Sequence, residues 1–348
     1  MSNKIKNFFK YAIMLSVTAL LLWISFENIE VAEGASKVDY LLNVWSSANK
    51  SFLILSGLVA VLSHLIRAQR WKLLLNPIGY ELTLKQGFLS VMIGYFINLA
   101  IPRGGEVSRC YNLYRLNKTP VDVSLGTVVA ERVIDLIFLI ILIAISFFIQ
   151  LDSLILFFKS EEVQELTNQE GSGNMITIMI AGILFLAAMG LIFLFLLKRK
   201  KYLMLRLLSK SKSALLGIKD GVKSVLKLKS RSAFIIDSLL IWICYYLMMY
   251  FVMLAFPETE NLGLGAALTI FVIGGIAMAL PLPGGAGSFH VLVSTGLVLL
   301  YSLPQDKAIA FTFIFHGWQT VIIILVGAFS LISSQIIRTK IESNGQQN

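Results

Sequence analysis

Glu131, Arg132 and Asp135 lie inside an apolar stretch, Val128-Val-Ala-Glu-Arg-Val-Ile-Asp-Leu136. On a helix Glu131 and Asp135 share a face at i,i+4, and Arg132 reaches Asp135 at i,i+3. If that helix enters a membrane near Val123, Asp135 sits about 18 Å along it, near the bilayer midplane. A charge at that depth costs at least ~2.5 kcal/mol, so such groups pair or line a cavity. Two readings fit these residues: a self-neutralising buried cluster, or a polar lining that contacts a headgroup or relays protons.

A second constellation is Asn98-Leu-Ala-Ile-Pro-Arg-Gly-Gly-Glu106, followed by Arg109. The planar forks of Arg103 and Arg109 match phosphate oxygens. The N–H groups of Gly104 and Gly105 could add an anion nest. The plainer reading makes these interfacial charges, with Glu106 and Arg109 a local pair. A third constellation is Leu280-Pro-Leu-Pro-Gly-Gly-Ala-Gly-Ser288, with His290 and His316 beyond it. Gly284, Gly285 and Ser288 lack the Lys-Ser/Thr ending and strand context of a nucleotide loop, so a tight turn with close helix approach is expected. Each histidine could titrate near neutral pH, though a lone histidine in a bundle is more often packed and hydrogen-bonded.

These residues need a membrane scaffold. Of 348 residues 57% are hydrophobic and 14% charged, and the mean hydropathy is +0.78. Apolar runs near 20 residues recur, which defines a polytopic helical membrane protein. The net charge of +10 is explained by basic cytoplasmic loops and not by nucleic acid. Cys110 and Cys244 stand apart, and the three histidines lack partner spacing. Disulfide framework, metal centre and cofactor are therefore not expected. Residues 8–26 follow Lys4, Lys6 and Lys10 like a signal peptide, but Trp23, Phe26 and Glu27 leave no small-residue cleavage site, so a retained first span is expected.

Lys and Arg counts set the expected topology. Three lysines in residues 1–10 place the N-terminus in the cytoplasm. Residues 27–50 read as external, and span 51–66 returns inward, with Arg67, Arg70 and Trp71 as interfacial anchors. Residues 67–85 and 103–118 hold four basic residues each. Both flanks of run 86–101 are thus inside-type, which suggests a hairpin entering from the cytoplasm and turning near Pro102; a full span with Arg103 outside is the alternative. Span 121–150 leads to an acidic external segment, 151–174, and span 175–197 returns. Residues 198–231 hold twelve basic residues and one acid. Within them Leu215, Ile218, Val222, Val225 and Leu226 alternate with Lys212, Lys219, Lys223 and Lys227 at helical spacing, as a basic amphipathic stretch on the membrane surface would. Span 233–256, apolar runs 262–282 and 289–303, and span 308–335 follow, with a cytoplasmic tail from 338.

Residues 51–150 and 232–337 then both read span, broken hairpin, span, with the hairpins open to opposite sides. Gly104-Gly-Glu-Val-Ser108 echoes Gly284-Gly-Ala-Gly-Ser288, and Pro120-Val-Asp122 echoes Pro304-Gln-Asp306. The expected fold is all-α and polytopic in one domain: an inverted repeat of span, re-entrant hairpin and span, with about six full spans and two broken hairpins. Paired interruptions of this kind mark transport sites in secondary transporters.

At these residues the chain resembles the transmembrane region of lysylphosphatidylglycerol synthases and their stand-alone flippase-like relatives. The likeness is carried by Arg67-Ala-Gln-Arg-Trp-Lys-Leu-Leu-Leu75, Gly94-Tyr-Phe-Ile-Asn-Leu-Ala-Ile-Pro-Arg-Gly-Gly-Glu-Val-Ser-Arg109, Glu131-Arg-Val-Ile-Asp135 and Pro283-Gly-Gly-Ala-Gly287. It runs over roughly residues 8–338. The chain departs from it at His290, where the family resemblance implies an acidic residue. The resemblance implies movement of a phospholipid, such as an aminoacylated phosphatidylglycerol, between leaflets of the cytoplasmic membrane, without the synthase domain. Membrane phospholipids with anionic headgroups are the expected partners. Arg103, Arg109 and Arg132 would attract the headgroup while Glu106, Glu131 and Asp135 balance charge or take protons. A headgroup-modifying membrane enzyme would instead change lipid mass, and a small-solute permease would take up a soluble substrate.

Overall fold

The computed structural model describes residues 3–31, 34–151, 228 and 230–345, and among these it is helical with no strand. The expected span 175–197 and the basic amphipathic stretch lie outside the described residues. The first half comprises α1 (Asn3–Glu27), α2 (Lys37–Ser47), α3 (Lys50–Leu75), α4 (Leu84–Asn98), α5 (Gly104–Asn117) and α6 (Val121–Ile149). The second comprises α7 (Arg231–Leu254), α8 (Gly263–Ala279), α9 (Ser288–Tyr301) and α10 (Gln305–Gly345). Five of the described segments are long and apolar enough to cross a membrane: Lys50–Ile78, Val121–Ile149, Arg231–Leu254, Pro283–Tyr301 and Gln305–Ser343. This is an all-α polytopic membrane architecture.

Three element bounds differ from the sequence reading for local reasons. Helix α3 does not stop at 66 but runs through Arg67, Arg70 and Trp71 to Leu75. Nothing breaks it before Asn76-Pro77, where proline opens a short 3-10 turn and Gly79 takes a left-handed φ of 94°. The segment read as an external loop contains α2, started by Ser36, whose side chain accepts from the Asp39 N–H. Helix α10 passes the expected end at 335 and continues through Arg338 and Lys340.

Helices α3 and α7 pack antiparallel along their length. The Asn49 N–H donates to Ala255 O at 2.8 Å, Arg67 meets Tyr245, and Arg70 meets Ser238. Helix α4 therefore starts beside the C-terminal end of α3, and α8 starts beyond the C-terminal end of α7, at the opposite end of the pair. Thr83 begins α4 with a capping box, accepting from the Gln86 N–H while its own N–H donates to Gln86 Oε1. Arms α4 and α5 pack on each other, as do α8 and α9. The contacts match when the halves are exchanged: α4 packs on α10 and α8 on α6, while α5 packs on α6 and α9 on α10.

The turns of the two hairpins meet. A Cβ built on Gly284 would stand 3.1 Å from Leu99 Cδ2. In the first turn α4 unwinds after Asn98, Pro102 contributes no N–H, and Arg103 is left-handed at φ 59°. That conformation costs a non-glycine residue ~1–2 kcal/mol. In the second, Gly284, Gly285 and Gly287 all have positive φ, from 57° to 85°, which glycine adopts without the Cβ clash. The Ser288 hydroxyl reaches the carbonyls of Ala277 (3.0 Å) and Gly285 (3.1 Å) and ties α9 to the end of α8.

Candidate functional site

The site is built outward from α6. Its side chains Glu131 and Asp135, one helical turn apart, face arginines from two other helices. Arg67 Nη1 lies 2.9 Å from Asp135 Oδ2. Arg70 Nη1 lies 2.8 Å from Asp135 Oδ1, and its Nε 3.4 Å from Glu131 Oε1. Arg109 of α5 pairs with Glu131 Oε2. Tyr245 accepts from Arg67 at 2.9 Å and Ser238 from Arg70 at 3.1 Å. The Arg109 guanidinium lies 4.4 Å over the Trp71 ring, a cation–π contact, and Trp71 is held by its indole N–H donating to Thr127 at 2.8 Å.

All five charged residues are 8% exposed or less. Burying a charge without a partner is prohibitive, so three guanidinium groups and two carboxylates hold one another ionised. The pairing is not complete. Arg70 Nη2, Arg67 Nε and Arg109 Nε are buried without an acceptor among the described residues. Guanidinium N–H donors of this kind suit phosphate or carboxylate oxygens. Asp237 of α7 has a buried Oδ2 that likewise lacks a partner.

The expected partnerships change. Arg132 does not pair with Asp135 but with Glu106, at 3.1 Å. Glu106 and Arg109 are not a local pair, because α5 turns them to different residues of α6. Arg67 and Arg70 are not interfacial anchors; they are buried in the cluster's centre. The signal for them was present as matching stripes, Arg67-x-x-Arg70-Trp71 on one helix and Glu131-x-x-x-Asp135 on another. Placing the span's end at 66 hid it. Tyr245 and Ser238 carry no such signal, since isolated hydroxyls in apolar runs are common.

At the first turn the Gly105 N–H donates to Asn98 Oδ1 at 2.7 Å and the Gly104 N–H to Ile101 O at 2.9 Å. Both amides expected to form an anion nest thus have internal acceptors. Arg103 is exposed at the same turn and makes no ion pair among the described residues. At the second turn His316 Nε2 lies 3.0 Å from Gly284 O, so its proton sits on that nitrogen. His290 Nδ1 accepts from the Gly287 N–H at 3.3 Å, and the two rings are 4.8 Å apart. The structure therefore brings Gly284, Gly285, Ser288, His290 and His316 together, as the turn's internal bracing. His316→Phe should lower thermal stability in detergent by about 1–3 kcal/mol, because the Gly284 carbonyl loses its donor. His316→Gln should recover part of that loss; equal melting of Phe and Gln variants would show that the bond contributes nothing.

The fold and site define a polytopic membrane protein with an ionic cluster buried beside two converging helical hairpins. The chain belongs to the family described as the lysylphosphatidylglycerol synthase TM region, whose model matches residues 9–327. It is also similar to the UPF0104 membrane protein MJ1595 of Methanocaldococcus jannaschii. Identity there is 34% over 126 residues, covering 35% of this chain and 38% of that relative. The match thus spans well under half of either protein. No solved structure gives a significant match.

Proposed function

We propose that this protein moves an anionic or aminoacylated phospholipid, or a lipid-linked headgroup, between membrane leaflets. The observation that carries the reading is the meeting of two hairpin turns, entered from opposite ends of the α3–α7 pair, with α5 of the first hairpin carrying Arg109 into a buried cluster of arginines. The arms α4 and α5 have 15 and 14 residues, about 22 Å each at 1.5 Å per residue, against a hydrocarbon core of ~30 Å. On this reading arms of that length fall short of crossing the core, and the two hairpins enter it from opposite leaflets. The exchange of contacts between halves is what an inverted repeat produces, and alternating access in transporters uses such repeats. The end of the bundle carrying Lys72, Lys85, Arg115 and Lys118 faces the cytoplasm on this reading.

In the mechanism, exposed Arg103 and Arg132, the latter with 46% of its side chain accessible, meet the headgroup phosphate first. Arg109, Arg70 and Arg67 supply the positive field and the unfilled N–H donors behind them. Glu106, Glu131 and Asp135 hold these arginines in place and balance their charge when the anion leaves. The acyl chains stay in lipid, so only the headgroup crosses the low-dielectric zone.

The test uses proteoliposomes with fluorescent phosphatidylglycerol and an impermeant quencher. The wild type should move probe faster than protein-free vesicles. Arg103→Ala should slow it about tenfold, the factor that ~1.4 kcal/mol of lost charge-assisted hydrogen bonding represents. Wild type and variant both at the protein-free rate, across anionic phospholipids, would overturn the proposal.

A further inference from the structure

A cavity of about 260 Å³ opens where the two turns meet, lined by Met14 and Leu15 of α1, Ala100, Ile101 and Pro102 of the first turn, and Pro283 of the second. Every one of these side chains ends in carbon or thioether sulfur. A headgroup would find no donor there, and polar ligands would lose their hydration without replacement. The walls continue onto surface that is apolar and exposed: Leu15 is 54% accessible, Ile101 45% and Leu280 47%. In a membrane protein that surface is bathed in hydrocarbon.

Helix α1 forms one wall of the cavity. It rests on the second turn and on α9, with Thr18 and Leu21 against Gly287. A Cβ on Gly287 would stand 2.8 Å from Leu21 Cβ, so the glycine lets α1 sit directly over the turn. The polar neighbour of the cavity is Arg103, the residue after Pro102. It is exposed, left-handed and outside any ion pair among the described residues. Apolar cleft and adjoining cation together have the amphiphilic pattern of one lipid, anionic head and hydrocarbon tail.

We infer that the cleft under α1 is an acyl-chain site, which seats one tail of a phospholipid while Arg103 holds its phosphate. This rests on the transport reading only for the identity of the lipid; tail binding is a separate property and is read separately. It assigns α1 a part in holding lipid at the junction, beyond that of a first membrane anchor.

The experiment uses the full chain in nanodiscs containing phosphatidylglycerol with a photoactivatable diazirine at the middle of one acyl chain. After irradiation, peptide mass spectrometry maps the adducts. Adducts should concentrate on Met14, Leu15 and Ile101 over Ile13 and Leu20, which are exposed on the same helix at 62% and 51%. Ala100→Trp and Leu15→Trp fill the cleft from opposite walls. Each should cut these adducts about tenfold, equivalent to ~1.4 kcal/mol of lost tail binding, with an unchanged gel-filtration profile. A headgroup-labelled probe should mark Arg103 and its C-terminal neighbours instead of Met14, Leu15 and Ile101, resolved by fragmentation of the peptides. Adducts spread evenly over α1 and unaffected by either tryptophan would overturn the site, even where translocation is intact. Concentrated, tryptophan-sensitive adducts without translocation would uphold it and remove the transport reading alone.

Discussion

Glu131→Ala should be the most damaging single substitution in the ionic cluster, lowering stability by about 3–5 kcal/mol. Glu131 is 1% exposed and is the common partner of Arg70 and Arg109. Removing it leaves three buried guanidinium groups, those of Arg67, Arg70 and Arg109, with Asp135 as the remaining carboxylate of the cluster, and takes away the ion-pair partner of Arg109. The penalty is mostly that of stranded positive charge and not the net value of the pairs, since a buried ion pair gains little over an apolar replacement of the same volume. The prediction therefore has two parts. Glu131→Ala alone should melt well below wild type when followed by thermal unfolding in detergent. Arg109→Met combined with Glu131→Ala should recover a substantial share, because one stranded charge is gone and the methionine still packs on Trp71. A double variant no better than the single would mean that the cluster's cost is packing and not charge.

Gly105→Ala should close off the first hairpin. A Cβ at Gly105 would lie 2.0 Å from Gly94 O and 2.7 Å from Asn98, contacts that real atoms do not make. The obstruction is backbone, so no rotamer relieves it, and α4 and α5 must separate. Overpacking costs about 1–3 kcal/mol, and a clash with backbone carbonyl belongs at the upper end. Helix α5 carries Arg109 and Glu106 to α6, so under the proposed function the same substitution should also weaken lipid translocation. Gly317→Ala is the control. Nothing lies within 4 Å of a Cβ there, and alanine in a helix interior gains up to ~1 kcal/mol over glycine. Gly105→Ala with the melting temperature of Gly317→Ala would refute the close approach of α4 and α5.

Hydropathy and helix-breaking residues set the helices, because a membrane-spanning segment must satisfy its own backbone and leaves a long apolar run as its trace. Helices α6, α7, α8 and α9 begin and end within two or three residues of the runs read from sequence. The two turns were equally visible, since proline and clustered glycines are needed where the chain leaves helical geometry. Glu131 and Asp135 stood out for the same reason, as charges in an apolar context.

Partner choice was decided only in three dimensions. Nothing local tells Arg132 to take Glu106 over Asp135; the crossing of α5 on α6 does that. The burial of Arg67 and Arg70 depends on α7 and α6 closing over α3, and a charge count along the chain reads the same residues as an interface. The convergence of Leu99 with Gly284, far apart in sequence, follows from the antiparallel pairing of α3 with α7, which starts the hairpins at opposite ends. Composition thus determined that the chain is a bundle of membrane helices with charges inside, because the bilayer acts on each segment separately. Which charges meet, and that the two interruptions share one place, came from helix packing, which acts between segments and leaves no periodic trace in either.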